Sequence, residues 1–300
     1  LAIFAFAAPS PILVYNMPGR GVTLMAPTVC NLICRGRGKE NTMKMRYCLY
    51  SDIHGQIPQL EAVEAAVAKE NPDKTIVIGD LVGLGPDPEV IVQRMMDRPE
   101  IDVIAGNVDL WAAQRLDETM TPKSPHQEWM FRMSAMTRGR LSDSQIDWLL
   151  KRPFSITYTP EQGHDFHVYH ATPYDIGDAD AFPFRLTDDE LADKLKGFDA
   201  DIMAHGHIHG PSVRNLDKDG KKQTVVCAAA VGMSWDGDPR PAYAVVDYLG
   251  DGKWEARTER VDFDPEEQAK YNENCWLEHG ERIAGMIRSG TFWNPDHMPH

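Results

Sequence analysis

The chain has 300 residues, 42% of them apolar and 25% charged, with a net charge of −14. That length supports one large domain or two small ones, each with a real core. The acidity argues against a general nucleic-acid surface or an anionic-membrane surface.

The charge is uneven. Residues 1–46 hold Arg20, Arg35, Arg37, Lys39, Lys44 and Arg46 against Glu40 alone, so the body that follows is more acidic than the whole. The opening LAIFAFAAPSPILVY is apolar but broken by Pro9 and Pro11, and it is too short to span a bilayer. It lacks the basic residues expected ahead of a signal-peptide apolar region. Residues 1–42 are read as a non-native or disordered extension upstream of a domain that starts at Met43 or Met45; a cleaved export signal is the alternative. Cysteines 30, 34, 48, 227 and 275 are odd in number and scattered. Cys48 and Cys227 sit in apolar runs and read as small buried hydrophobes. No disulfide framework is expected, which fits a reducing cytoplasm.

From Lys44 the pattern alternates. RYCLYS predicts a strand, and QLEAVEAAVAKE a helix with Leu60, Val63 and Val67 on one face. KTIVIGD predicts a second strand, DPEVIVQRMMD a helix opened by Pro88, and IDVIAGN a third strand. This order argues for parallel pairing in an α/β sheet. Residues 109–150 read as helical. Short strands follow at DFHVYH and ADIMAH, separated by a helix that Thr187 and Glu190 open as a capping box. TVVCAAAV, AYAVVDY and WEARTERV look like an antiparallel second sheet. Asp264-Pro265 opens a last helix running to about Ser289. No linker divides the chain. The expected organisation is the extension 1–42, one domain over 43–264 with two packed sheets flanked by helices, and a C-terminal helix and tail over 265–300.

The first three strands end alike, running into Asp52-Ile53-His54, Gly79-Asp80 and Gly106-Asn107. Later, VYHATP ends on His170, and IMAHGHIHG on His207 and His209. Carboxyl ends of parallel strands lie along one edge of a sheet, where ligands bind, so these residues are expected to converge. A lone strand-end Asp is ordinarily a helix cap and a lone His a satisfied core residue. Five such pieces in this order make coincidence a poor account. Two carboxylates, one amide and four imidazoles form a mixed oxygen and nitrogen set suited to borderline divalent ions. Seven ligands are too many for one tetrahedral zinc and suit two ions sharing a bridging carboxylate. Manganese is the first expectation, with iron, zinc, cobalt or nickel as alternatives.

With DIHG (52–55), GDLVGLGPDP (79–88), GNVD (106–109), HATP (170–173), GHIH (206–209) and DGDPRPAYAVVD (236–247), the sequence resembles the calcineurin-like metallophosphoesterases, in their small bacterial and archaeal phosphodiesterase branch. The resemblance covers about Met45 to Asp264. It implies a four-layer αββα sandwich of two mixed sheets, and a phosphate ester hydrolysed at a dinuclear centre by a bridging hydroxide. It assigns Asp52, His54, Asp80 and His209 to one metal, and Asp80, Asn107, His170 and His207 to the other, with Asp80 bridging. The implied partner is a small phosphorylated substrate in the cytoplasm, with no nucleic acid or membrane; oligomeric state is left open.

One departure matters. The family's commonest third motif has a His after Asn, which stabilises or protonates the leaving oxygen; Val108 stands there and can do neither. Acidic leaving groups are therefore favoured, and Asp109 has lost the partner it would orient. His205, two before His207, faces the same side of a strand and is the candidate replacement, to be set against a buried histidine bonded to a carbonyl. Asp80, Asn107 and His205 are thus the residues nominated for catalysis. His126, His164 and His167 read as surface or packing residues, and Arg240 as a solvated turn residue. Two other functions compete. A serine/threonine protein phosphatase of the same fold would read GNHE and carry arginines beside the site. A non-catalytic scaffold, like the retromer subunit of this fold, would tend to lose ligands. The loops 110–165 and 174–190 carry no recognisable specificity motif.

Overall fold

The computed structural model describes residues 29–32, 44–115, 118, 120–177, 186–218 and 220–292. Of the extension 1–42 only Val29–Leu32 falls within these. Cys34, residues 178–185 and the tail histidines His297 and His300 lie outside them.

The described residues form eleven strands, arranged in two sheets, and eight helices. The first sheet has the order β11-β10-β2-β3-β4. Its parallel half is β2 (Met45–Tyr50), β3 (Lys74–Val77) and β4 (Asp102–Val103). The helices α1 (Ile57–Lys69) and α2 (Pro88–Met96) make the crossovers. β10 (Ala242–Gly250) adds antiparallel to β2, and β11 (Lys253–Arg260) to β10. The second sheet has the order β1-β5-β6-β7-β9-β8. Its strands are β1 (Val29–Leu32), β5 (Ser155–Glu161), β6 (His164–Tyr169), β7 (Ile202–His205), β8 (Ser212–Lys218) and β9 (Lys221–Cys227). Both sheets are mixed, as expected.

The sequence grouped the last three strands in one antiparallel sheet; the structure divides them. β9 pairs parallel to β7, whereas β10 and β11 return to the first sheet. Both environments bury Val- and Ala-rich runs on two faces, so composition alone does not separate them.

Alternation along β2 explains the layering. Tyr47 and Leu49 face inward and pack with Ile76, Ile156, Phe166 and Val226 between the sheets. Cys48 and Tyr50 face outward onto Leu60, Val63, Ile91 and Val92 of α1 and α2. On the far side α6 (Asp188–Lys194), capped by Thr187 and Glu190 as predicted, sets Leu191 against Tyr169 and Met203. Helix, sheet, sheet and helix therefore stack as four layers. Three further helices, α3 (Asn107–Ala113), α4 (Pro125–Arg138) and α5 (Asp143–Leu150), fill 107–150. The predicted last helix is two: α7 (Pro265–Glu273) and α8 (Gly280–Ser289), turned apart at His279, whose φ is +62°.

Candidate metal centre

The strand ends meet along one edge, and their loops are stitched together by backbone hydrogen bonds. Asp52 N–H donates to Gly79 O at 3.1 Å, His54 N–H to Asp80 O at 3.0 Å, and Gly55 N–H to Leu81 O at 2.9 Å. Five of the seven predicted ligands sit in the left-handed region: Asp52 (φ 53°), His54 (49°), Asp80 (52°), His207 (67°) and His209 (54°). Such backbone is strained for residues bearing a Cβ and collects at functional sites. Two glycines of the motifs are explained by close approach. A Cβ on Gly106 would fall 2.2 Å from Asp80 Oδ1, and one on Gly206 would fall 2.6 Å from Asp52 Oδ2.

The candidate ligand atoms form two groups. Those of Asp52, His54 and His209 lie within 4.8 Å of one another, as do those of Asp80, His170 and His207. All are buried except His207, which is partly exposed and so marks the open side. Asn107 joins the second group, its Oδ1 standing 3.0 Å from His170 Nε2 and 2.9 Å from His207 Nδ1. Asp80 Oδ2 lies 3.4 Å from His170 Nε2 and 3.8 Å from His54 Nε2, between the groups.

The histidines are held by their outer nitrogens. Nδ1–H of His54 donates to Val82 O at 3.1 Å, that of His170 to Ile78 O at 2.6 Å, and that of His209 to Met233 O. Each Nε2 then faces inward and, when it carries no proton, offers the lone pair that metal-bound histidines use. Asp52 Oδ2 accepts from His207 N–H at 2.9 Å, and the buried Asp52 Oδ1 faces His209 Nε2 at 3.3 Å. A buried carboxylate oxygen set against imidazole nitrogens is costly unless a proton or a metal cation lies between them. This donor set of oxygen and imidazole nitrogen fits divalent transition ions.

Electrostatics tell the same story. Burial opposes ionisation of Asp52, but the His209, His170 and His54 imidazoles outweigh it and hold the carboxyl below its usual range. Asp80 is also lowered, with His170 overcoming burial. Burial works against charge on His170, yet Asp80 and Asp52 push its imidazole up to about 9. Burial takes His207 down to about 4. Without a metal, a proton on His170 would supply the positive charge that the carboxylates demand.

His205 belongs to neither triad. It is buried, with Nδ1 3.0 Å from Gly206 O, and lies parallel to Tyr169 with ring centroids 6.1 Å apart. Burial pushes its imidazole down to about 4. His164 pairs with Asp201, His167 with Thr157, and Arg240 with Asp238, each in a local contact.

Two residues gain roles that the sequence reading missed. Asp109, for which only an absent histidine was foreseen as partner, accepts three backbone N–H bonds. Leu81 (2.9 Å) and Val82 (3.2 Å) donate to its Oδ1, and Gly106 (3.1 Å) to its Oδ2. It therefore clamps the loop bearing Asp80 to the loop bearing Asn107. Burial and the neighbouring Asp80 carboxylate push its own pKa up to about 7. The available signal was an acid at the third position of a helix following Gly-Asn. Trp235 lies flat on His209, with ring centroids 3.5 Å apart and planes 8° from parallel. No sequence signal marks it.

Residues 45–251 match the family described as the calcineurin-like phosphoesterase superfamily domain. No functionally curated protein matches the chain by sequence. Among solved structures, a metallophosphoesterase from Sphaerobacter thermophilus superposes with a TM-score of 0.62 at 22% identity, over 83% of this chain and 100% of its own. A hypothetical protein from Pyrococcus horikoshii superposes with a TM-score of 0.67 at 15% identity, over 82% of this chain and 98% of its own. Both likenesses are likenesses of fold. With more than half of its length matched by that family, the chain belongs to the calcineurin-like phosphoesterase superfamily.

Proposed function

We propose that the protein hydrolyses a phosphoric ester at a dinuclear divalent-metal centre. Asp52, His54, Asp80 and His209 would hold one ion, and Asp80, Asn107, His170 and His207 the other. The observation that carries this reading is the pair of adjoining candidate ligand groups with Asp80 Oδ2 between them and the buried Asp52 Oδ1 facing His209 Nε2. When bound, two such ions would acidify water near neutral pH and neutralise charge on the phosphoryl oxygens.

The chain's own residues do the rest. Val82, Ile78 and Met233 carbonyls fix the histidine tautomers. Asp109 keeps the second and third strand-end loops in register. His207, on the open side, lies where a substrate would enter. No imidazole stands at 108, so the leaving oxygen departs without a proton from that position, which favours acidic leaving groups.

Metal analysis of the purified protein, followed by a panel of phosphate mono- and diesters with Mn2+, tests the proposal. About two equivalents of metal and metal-dependent hydrolysis are expected. A protein that binds no divalent ion, or that binds two and hydrolyses no ester, refutes it. Among the described residues no helix is long and apolar enough to cross a membrane.

A further inference from the structure

The α7–α8 hairpin lies beyond the matched region 45–251; its apolar face shares a cluster with Val108, beside Asn107, and with Met233, while its hydrogen-bonded and stacked contacts gather on the Asp52–His54–His209 group. Gln56, two residues past His54, exchanges amide hydrogen bonds with Asn272 of α7. Gln56 Nε2 donates to Asn272 Oδ1 at 3.1 Å, Asn272 Nδ2 donates to Gln56 Oε1 at 2.9 Å, and both residues are fully buried. Trp276, between the helices, donates Nε1–H to Pro86 O at 2.8 Å. Ile283 and Met286 of α8 share an apolar cluster with Met233, whose carbonyl holds His209 Nδ1. Just past α8, Phe292 packs on Trp235 at 4.5 Å, and Trp235 covers the face of His209. By contrast His170 is fixed from the sheet side, by Ile78 O and Asn107.

The stack itself points to a cation. Two neutral aromatic rings prefer offset or edge-to-face packing over a face-to-face sandwich. Trp235 and His209 are nearly parallel with centroids 3.5 Å apart. That arrangement becomes favourable when one ring is electron-poor, because the negative face of indole attracts a positively polarised partner. An imidazole whose inner nitrogen binds a cation is such a ring.

We propose that the α7–α8 hairpin is an integral part of the metal centre that sets the affinity of the Asp52–His54–His209 group, with Trp235 as the positioning residue that acts through His209. The inference rests on the dinuclear reading above and adds that one half-site draws hydrogen-bonded and stacked support from beyond the matched region.

The test is titration of the metal-free full-length protein with Co2+, followed by calorimetry and visible absorption. Wild type is expected to show two steps, one of which His170→Ala weakens. Trp235→Leu is expected to weaken the other step by roughly 3- to 30-fold, the factor a desolvated ring–cation contact supplies, and to shift only that step's absorption bands. Trp235→Phe, which keeps a flat ring, is expected to restore most of the loss. Asn272→Ala is expected to weaken the same step, and it carries the test if Trp235→Leu does not fold. Two wild-type steps with both left unchanged, or both weakened equally, by Trp235→Leu and Asn272→Ala would overturn the inference while leaving the dinuclear reading intact. Uptake of no Co2+ by wild type would overturn the dinuclear reading itself and the inference with it.

Discussion

The Nε2 atoms of His54 and His209 stand 3.1 Å apart, while each ring commits its Nδ1 proton to a carbonyl, Val82 O and Met233 O respectively. Two lone pairs so placed repel unless something positive lies beside them. Divalent ions are therefore expected to stabilise the fold. A ligand bound only by the folded state at a hundred times its Kd contributes about 2.7 kcal/mol. For a domain of this size that raises Tm by roughly 5–10 °C. Melting curves of chelated protein with and without millimolar Mn2+ measure this, and coincident curves would count against a metal site.

Asp80→Asn is expected to lower turnover by several orders of magnitude while the fold survives. The amide oxygen can keep the Val108 N–H bond that Asp80 Oδ1 now accepts at 2.8 Å. The amide nitrogen would then face His54 and His170 where Oδ2 stands, and it cannot ligate as a carboxylate does. Metal content and turnover both near wild type would show that Asp80 does not bridge.

Asp109→Ala removes the acceptor of three buried N–H groups. Each unsatisfied donor costs about 1–3 kcal/mol, so a loss of roughly 3 kcal/mol or more is expected. Asp109→Asn should be milder, because only the Gly106 contact becomes donor against donor. Urea unfolding of both variants gives the comparison; equal stability of alanine and wild type would contradict the clamp.

Val108 is buried in the apolar cluster with Leu84, Trp129 and Met233, and a Cβ on Gly83 would fall 2.5 Å from its Cγ1. A larger ring at this position would press on that cluster. Val108→His is expected to destabilise the protein by roughly 1–3 kcal/mol through overpacking and to give no gain on alkyl esters. The wild type is expected to favour p-nitrophenyl esters over alkyl esters by about 10²–10⁴-fold, the range general acid catalysis ordinarily contributes. Equal rates across a series of leaving-group pKa values would mean that another group supplies the proton.

Much of the candidate site was legible because each candidate ligand follows an apolar run that stops. The run TIVI ends before Asp80 and the run IMA before His205-Gly-His207, so strand ends and ligands are read together. The glycines at 106 and 206 were legible as motif letters, but their reason is spatial: the neighbouring carboxylates occupy the Cβ positions. The sheet to which β10 belongs was not legible, since an antiparallel neighbour of β2 and one of β9 bury the same kind of run. Nor was the burial of Val108, which depends on helices well over a hundred residues later in the chain.

The left-handed backbone of five candidate ligands bears on engineering. A residue with a Cβ held at positive φ costs about 1–2 kcal/mol relative to ordinary backbone, and this centre concentrates five of them. Ligand placement is thus won against the folding of the same loops, a trade-off between activity and robustness. It can be exposed at His207, whose side chain is the least buried of the set and whose φ is +67°. On ordinary backbone, alanine is more stable than glycine by roughly 0.5–1 kcal/mol. At position 207 the order should invert, with His207→Gly melting above His207→Ala, so that an inactivated enzyme gains resilience from the residue that a strand or helix would tolerate least.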